Sequence, residues 1–158
     1  MLVEETFRVK APIEKLWQFM LDPEEMGSCI PGCEKIELLG ENTYESTIRV
    51  NSPIFSITVK SKTTISEISP PHHLKWITQG QYNIGSGTFQ QESVVDLKQI
   101  SDGEVEVSYS GNIELAGGLA GLGEKIVSSM GRGLAIQFVK NIQEKLERRY
   151  GDRSSGAA

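Results

Sequence analysis

The chain has 158 residues and a formal net charge of -5 at neutral pH. A chain of this length normally folds as one domain and buries roughly 70% of the surface that the unfolded chain exposes. The acidic balance argues against a nucleic-acid partner, because a duplex binder needs a basic surface to neutralise phosphates. We therefore predict a single domain over residues 1–150, a flexible tail over residues 151–158 and no nucleic-acid ligand.

The first residues of the chain lack the basic segment and apolar run of a secretory signal. No window approaches the roughly 18 consecutive apolar residues that a membrane-spanning helix requires. These two observations favour a cytoplasmic protein, with any membrane contact peripheral and at the inner face of the membrane.

Strand and helix patterns follow one another in a simple order along the chain. Residues 2–10 alternate as a half-buried strand, and helical spacing after Pro12 and after Pro23 predicts two short helices. Six further strand patterns follow: 33–39, 44–50, 55–68, 74–79, 86–99 and 105–115. The short turns between them are typical of an antiparallel meander, so we predict an α+β fold.

The last third of the chain predicts one long amphipathic helix after a glycine-rich turn over residues 116–123. Its apolar stripe has a four-residue spacing and consists of Leu122, Ile126, Met130, Leu134, Phe138, Ile142 and Leu146. One side of this helix should lie on a large apolar surface, with a bend near residues 131–133. A sheet wrapped around a single helix leaves a hollow that can hold a small molecule.

Small and polar residues interrupt the face of the sheet that should point inward. Strand parity and the helix stripe predict the cavity wall: Phe55, Ile57, Val59, Ser61, Thr63, Phe89, Gln91, Ser93, Tyr109, Gly111, Met130, Leu134 and Phe138. We expect the mouth of the cavity at Met26, Ile30 and Leu122. A ligand or water, rather than neighbouring side chains, should satisfy most of the interior polar groups. The alternative is ordinary core packing, which is also how we interpret Trp17 and Trp76.

Catalytic and metal-binding patterns are weak in this sequence. His72 and His73 follow two prolines in a turn, so both should be exposed, and no nucleophile motif accompanies them. Cys29 and Cys33 supply at most half of a structural zinc site. We therefore predict no catalytic residue, no metal and no cofactor. The glycine-rich turn also lacks the Lys-Ser/Thr pair of a phosphate-binding loop.

Three segments together resemble the CoxG family, named for the G subunit of carbon monoxide dehydrogenase. They are DPEEMGSCIPGCE at 22–34, GSGTF at 85–89 and GGLAGLG at 117–123, and the resemblance spans about residues 1–148. It implies a START-like, helix-grip fold with about seven antiparallel strands around a C-terminal helix. It also implies a non-catalytic accessory protein that binds a lipid or a quinone. Its partner would be a CO dehydrogenase-type molybdenum hydroxylase, which it would serve in membrane association or electron delivery.

Two other functions stay open at this point. A cyclase or hydratase on the same fold would use Tyr109 as an acid, with Gln91 and Ser93 orienting the substrate. A pure interaction subunit would have a filled interior. The basic residues Lys140, Lys145, Arg148, Arg149 and Arg153 either complement the helix C-terminus or contact an anionic lipid surface or a partner. Homo-oligomerisation is likewise left open.

Overall fold

The computed structural model describes residues 2–51, 56–118 and 124–151, with the backbone alone for residues 124–127. The elements in chain order are β1 (Leu2–Val9), α1 (Ile13–Leu21), α2 (Pro23–Cys29), β2 (Cys33–Gly40), β3 (Thr43–Asn51), β4 (Ser56–Ser69), β5 (His73–Tyr82), β6 (Gly87–Ser101), β7 (Glu104–Ala116) and α3 (Glu124–Leu146). A π-helical turn, Glu147–Gly151, continues directly from α3.

All seven strands form one antiparallel sheet in the order β1-β7-β6-β5-β4-β3-β2. Because β1 and β2 are its two edges, the short helices α1 and α2 must carry the chain from one edge to the other. This arrangement confirms the predicted α+β, helix-grip fold.

Local sequence accounts for the two short helices. The side chain of Asp22 accepts hydrogen bonds from the backbone N–H groups of Glu24 (2.9 Å) and Glu25 (3.2 Å), which caps α2. Pro23 occupies the first turn of α2, where its missing N–H costs nothing. In α1 the buried residues are Ile13, Leu16, Trp17 and Phe19. Both helices thus turn an apolar side to the sheet and an acidic or polar side to solvent.

The main core lies at the end of the molecule where β1, α1 and the last turns of α3 meet. Ile142 and Leu146 of α3 are buried there together with Val9 and Val105. Earlier in the helix, however, Leu134 is 37% exposed. Leu134, which the sequence predicts in the cavity wall, stands there over a hollow and not in the packed core.

The observed strands end within two residues of the predicted ends, with one exception. Strand β5 continues to Tyr82, three residues beyond the predicted end. Helix α3 runs through Gly131 and Gly133 without a break, since a glycine in a helix interior costs only about 1 kcal/mol. Gly151, the first residue of the predicted tail, is buried in the π-helical turn. Residues 152–158, the rest of that tail, lie outside the described residues.

Candidate ligand-binding cavity

A cavity of about 500 Å³ lies between the inner face of the sheet, α2 and α3. Eleven of the predicted wall residues line it: Ile57, Val59, Ser61, Thr63, Phe89, Gln91, Tyr109, Gly111, Met130, Leu134 and Phe138. Met26 and Ile30, predicted at the mouth, line it as well. Strand parity and the helix stripe therefore bring together one continuous, mainly apolar surface.

One described residue of the prediction, Ser93, is not in this wall, and two others cannot be placed. Ser93 is fully buried, with 0% of its surface exposed, and it lies behind the lining. It still contacts the wall through hydrogen bonds to Gln91 and Tyr109. Phe55 and Leu122 lie outside the residues whose side chains the structure describes.

Sequence reasoning missed part of the wall on β3 and β5. Ser46 and Thr78 both line the cavity, as does Trp76, for which the sequence predicts a core position. Trp76 does pack against the main core, and its ring centroid lies 6.3 Å from that of Tyr109. Alternation from the buried Leu74 would have placed Trp76 and Thr78 on the inner face, because every second residue of a strand shares a face.

Hydroxyl groups of the wall pair with each other across neighbouring strands. Ser46 Oγ lies 2.7 Å from Ser61 Oγ, and Thr63 Oγ1 lies 2.8 Å from Thr78 Oγ1. Each pair occupies directly opposite positions of two strands, where side chains are close enough to bond. The expectation that neighbouring side chains would not satisfy these groups is therefore wrong.

A second polar group, the Gln91–Ser93–Tyr109 cluster, lies on β6 and β7. The amide nitrogen of Gln91 donates to Ser93 Oγ at 3.1 Å and to Tyr109 Oη at 2.9 Å. A Cβ atom at Gly111 would lie 2.5 Å from Tyr109 Oη and 3.2 Å from Gln91 Nε2. Only glycine at position 111 leaves the space in which this cluster forms.

The helices α2 and α3 frame the side of the cavity that reaches solvent. Leu134 is the most exposed residue of the helical part of the wall, and Gly131 beside it has open space where a Cβ would be. On the other side of this opening, Ile30 and Pro31 lead into Gly32, whose φ of +78° suits glycine. The opening therefore lies between the end of α2 and the middle of α3.

Burial favours the neutral forms of three titratable groups at or near the cavity. Burial, with a smaller effect of Asp22, raises the pKa of Tyr44, which lines the cavity. Burial also raises the pKa of Cys29 and of Cys33, and both are free thiols. A protonated thiol is a poor nucleophile and a poor metal ligand. The described residues contain no cluster of three or more acidic, histidine or cysteine side chains that would hold a metal ion.

Neither histidine lines the cavity, and His73 lies on the opposite face of the sheet. His73 is half-buried rather than exposed, because its Nδ1 lies 2.7 Å from Asp96 Oδ1 and its Nε2 lies 3.1 Å from Glu67 Oε1. His72 is exposed as predicted, and its Nδ1 lies 3.2 Å from the Leu97 carbonyl oxygen. The hydrogen bonds to Asp96 and Glu67 raise the pKa of His73. This histidine therefore belongs to an ion-pair network away from the cavity.

The basic residues near the end of α3 divide into two groups. Lys145 and Arg149 pair with Glu25 of α2, at 3.7 Å and 3.1 Å. Lys140 and Arg148 are exposed, and Arg153 lies outside the described residues. Two of the four described basic residues near the helix end thus join it to α2.

A curved antiparallel sheet, a long C-terminal helix and a hollow between them define a START-like, helix-grip protein. The sequence profile of CoxG, the G subunit of carbon monoxide dehydrogenase, matches residues 6–147. The chain therefore belongs to the CoxG family. No curated protein matches it. Within the described residues, no helix is long and apolar enough to cross a membrane.

Solved structures share this fold over nearly the whole chain. A conserved protein from Geobacillus kaustophilus is 25% identical, with a TM-score of 0.87 over 95% of this chain and 97% of that chain. A START superfamily protein from Mycobacterium smegmatis is 12% identical, with a TM-score of 0.73 over 93% of this chain and 97% of that chain. The Zhui aromatase/cyclase from Streptomyces sp. R1128 is 16% identical, with a TM-score of 0.71 over 94% of each chain.

Proposed function

We propose that this protein binds a lipophilic small molecule, a lipid or a quinone, in its internal cavity and does not transform it. The observation that carries this proposal is the cavity itself. It has a volume of about 500 Å³, and its wall consists mainly of aliphatic and aromatic side chains. Ligand sites of small molecules span roughly 300–1,000 Å³ and combine an apolar wall with a few placed polar groups. Covering such a wall with an apolar ligand stabilises the complex by about 25 cal/mol per Å² removed from water.

The proposed physiological role is that of an accessory protein to a CO dehydrogenase-type molybdenum hydroxylase. Its support is membership of a family whose name describes a component of carbon monoxide dehydrogenase. In this role the bound molecule would serve membrane association or electron delivery of the enzyme. The test is the rate at which the enzyme reduces a membrane-bound acceptor, with and without the ligand-loaded protein. An unchanged rate would contradict the accessory role but would not bear on ligand binding.

Ligand binding is tested by native mass spectrometry of the gently purified full chain, followed by identification of the molecule that dissociates. A pair of helix variants, Gly131→Phe and Gly133→Phe, provides the matched comparison. Both positions have open space around a Cβ, but only Gly131 lines the cavity. We expect Gly131→Phe to lose the bound molecule and Gly133→Phe to keep it. An empty wild-type protein that also ignores added lipids and quinones would contradict the proposal.

An enzyme on the same fold is the second candidate, and one observation favours it. The Tyr109 hydroxyl lies on the cavity wall within hydrogen-bond distance of Gln91, where it would meet a substrate. A cyclase or hydratase of this kind requires turnover that depends on the phenol as an acid. Tyr109→Phe would then abolish the reaction and its pH dependence, whereas an unchanged rate would exclude this role of Tyr109.

A further inference from the structure

The polar side chains of the cavity wall are all uncharged, and several of them form one row across the sheet. Thr63, Thr78 and Gln91 are direct neighbours across β4, β5 and β6. Ser93 and Tyr109 extend this row toward β7 through the Gln91–Ser93–Tyr109 cluster. The rest of the wall is mostly aliphatic or aromatic, so a bound molecule meets its main hydrogen-bonding partners at this cluster.

The hydrogen bonds of the cluster leave one acceptor and one donor for a ligand. Both protons of the Gln91 amide are used, by Ser93 and by Tyr109, and within the described part of the chain its Oε1 atom has no partner. Ser93 Oγ and Tyr109 Oη are 3.4 Å apart, and one hydroxyl proton suffices for that contact. We assign this proton to Ser93, because Ser93 is fully buried, and the Tyr109 proton then remains available to a ligand.

Charge excludes an ionised headgroup at this position. Among the described residues that line the cavity, no side chain is a carboxylate, an amine, a guanidinium or an imidazole. The strand register instead places Glu5 directly opposite Tyr109, on the edge strand β1. An anionic head would lose its hydration without gaining a cation and would lie near a like charge.

We propose that the ligand is an uncharged amphiphile whose head both donates and accepts a hydrogen bond, such as a hydroxyl or a primary amide. The head bonds to Gln91 Oε1 and Tyr109 Oη, and the apolar body extends toward the opening near Leu134. This inference rests on the proposed ligand binding and narrows its chemical class. It excludes free fatty acids and phospholipids with an ionised head inside the cavity, and of the quinones it selects the reduced quinol, because an oxidised quinone accepts hydrogen bonds but donates none.

The test compares single-chain ligands that differ only in the head, each displacing the uncharged dye Nile red from the delipidated full-length protein. The series is dodecanol, dodecanamide, dodecanoate, dodecyl phosphate and dodecylammonium, each used below its micelle-forming concentration. We expect the alcohol and the amide to bind at least about tenfold more tightly than the three ionised compounds. An ionised compound that binds as tightly as the alcohol would overturn the proposal, while dye displacement would still support ligand binding.

Protein variants separate the contribution of the ligand's head from that of its alkyl chain. Gln91→Leu and Tyr109→Phe should weaken dodecanol about tenfold and leave the binding of Nile red unchanged. Gln90→Leu is the matched control, because Gln90 is the exposed neighbour on the outer face of β6. Unchanged dodecanol binding in both cluster variants would refute the proposal. If wild-type protein binds neither Nile red nor any member of the series, the proposed function itself fails. Tyr109→Phe keeps the ring and remains informative if Gln91→Leu does not fold.

Discussion

Arg149 Nη2 lies 3.1 Å from Glu25 Oε1, and this ion pair joins the end of the C-terminal helix to α2. Lys145 lies 3.7 Å from the other oxygen of the same carboxylate and donates to Ser28 Oγ. Asn141 Nδ2 adds a 2.9 Å hydrogen bond to the Cys29 carbonyl oxygen. The second half of α3 thus holds α2 in place, while the middle of α3 stands beside the opening of the cavity.

We expect Glu25→Gln to lower the free energy of unfolding by about 1 kcal/mol, because it weakens both ion pairs. The figure is small because the Arg149 side chain is 40% exposed and therefore screened by solvent. Urea unfolding measures the change, and Glu24→Gln is the control, since that neighbouring side chain is exposed. In a double-mutant cycle with Arg149→Met, additive effects would show that the pair contributes nothing.

The predicted and observed site differ in ways that follow from the range of the interactions. Alternation along a strand is a local signal, so it placed Ser61, Gln91 and Tyr109 correctly on the inner face. The pairing of Ser61 with Ser46 depends on the register of two strands, which the pattern of a single strand does not contain. For the same reason the sequence predicted polar groups satisfied by a ligand or water where the structure has bonds between side chains.

The helix shows the same limit more clearly. Its four-residue stripe identified one apolar face, along which Leu146 is fully buried while Leu134 lines the cavity and is 37% exposed. Periodicity states which residues share a face, but not what lies opposite that face. The ion pairs of Glu25 could not be predicted from the sequence pattern either, because they join residues more than a hundred positions apart in the chain.

We expect Gly32→Ala to destabilise the fold by more than about 2 kcal/mol and to displace the cavity wall at Ile30 and Pro31. Gly32 has a φ of +78°, and a Cβ there would collide with the Arg49 carbonyl oxygen. Gly40→Ala is the matched control, because nothing lies within 4 Å of a Cβ at that position. Thermal unfolding of the two variants checks the prediction, and equal melting temperatures would contradict it.

The ion-pair network on the outer face predicts a stability maximum in mildly acidic solution. Hydrogen bonds to Asp96 and Glu67 raise the pKa of His73 above its ordinary 6.5, so its contribution is complete below 6.5 and is lost as the pH rises through the raised value. The bond to His73 lowers the pKa of Glu67 below its ordinary 4.5, so its contribution holds above 4.5 and is lost on acidification. Both contributions are therefore present together between these two ordinary values.

The measurement is urea unfolding of wild type and His73→Gln from acidic to mildly alkaline pH. We expect wild type to lose stability as the pH rises through the raised pKa of His73, and the variant to show a flatter profile over the same interval. His72→Gln is the control, because Asp96 and Glu67, the partners of His73, do not contact His72. Parallel profiles for wild type and His73→Gln would show that this histidine contributes no pH-dependent stability.

The Ser46–Ser61 pair distinguishes a ligand-binding cavity from the filled interior of a pure interaction subunit. A filled interior predicts that Ser61→Val stabilises the fold, because the change buries two methyl groups in an apolar surrounding. In the structure the change leaves the Ser46 hydroxyl without its 2.7 Å partner, which costs about 1 kcal/mol. We therefore expect Ser61→Val to destabilise and Ser46→Val/Ser61→Val to restore stability close to that of wild type.

Ligand affinity in the same variants gives the second half of this test. Because the two hydroxyls bond to each other and the proposed head site is the Gln91–Ser93–Tyr109 cluster, the double variant should bind the native ligand within about threefold of wild type, a change well under 1.4 kcal/mol. A loss of affinity much larger than this would mean that the ligand bonds to these hydroxyls as well as to the Gln91–Ser93–Tyr109 cluster. A stabilised Ser61→Val variant with unchanged partner binding and no ligand would instead favour the interaction subunit, since only a filled interior gains from the added methyl groups.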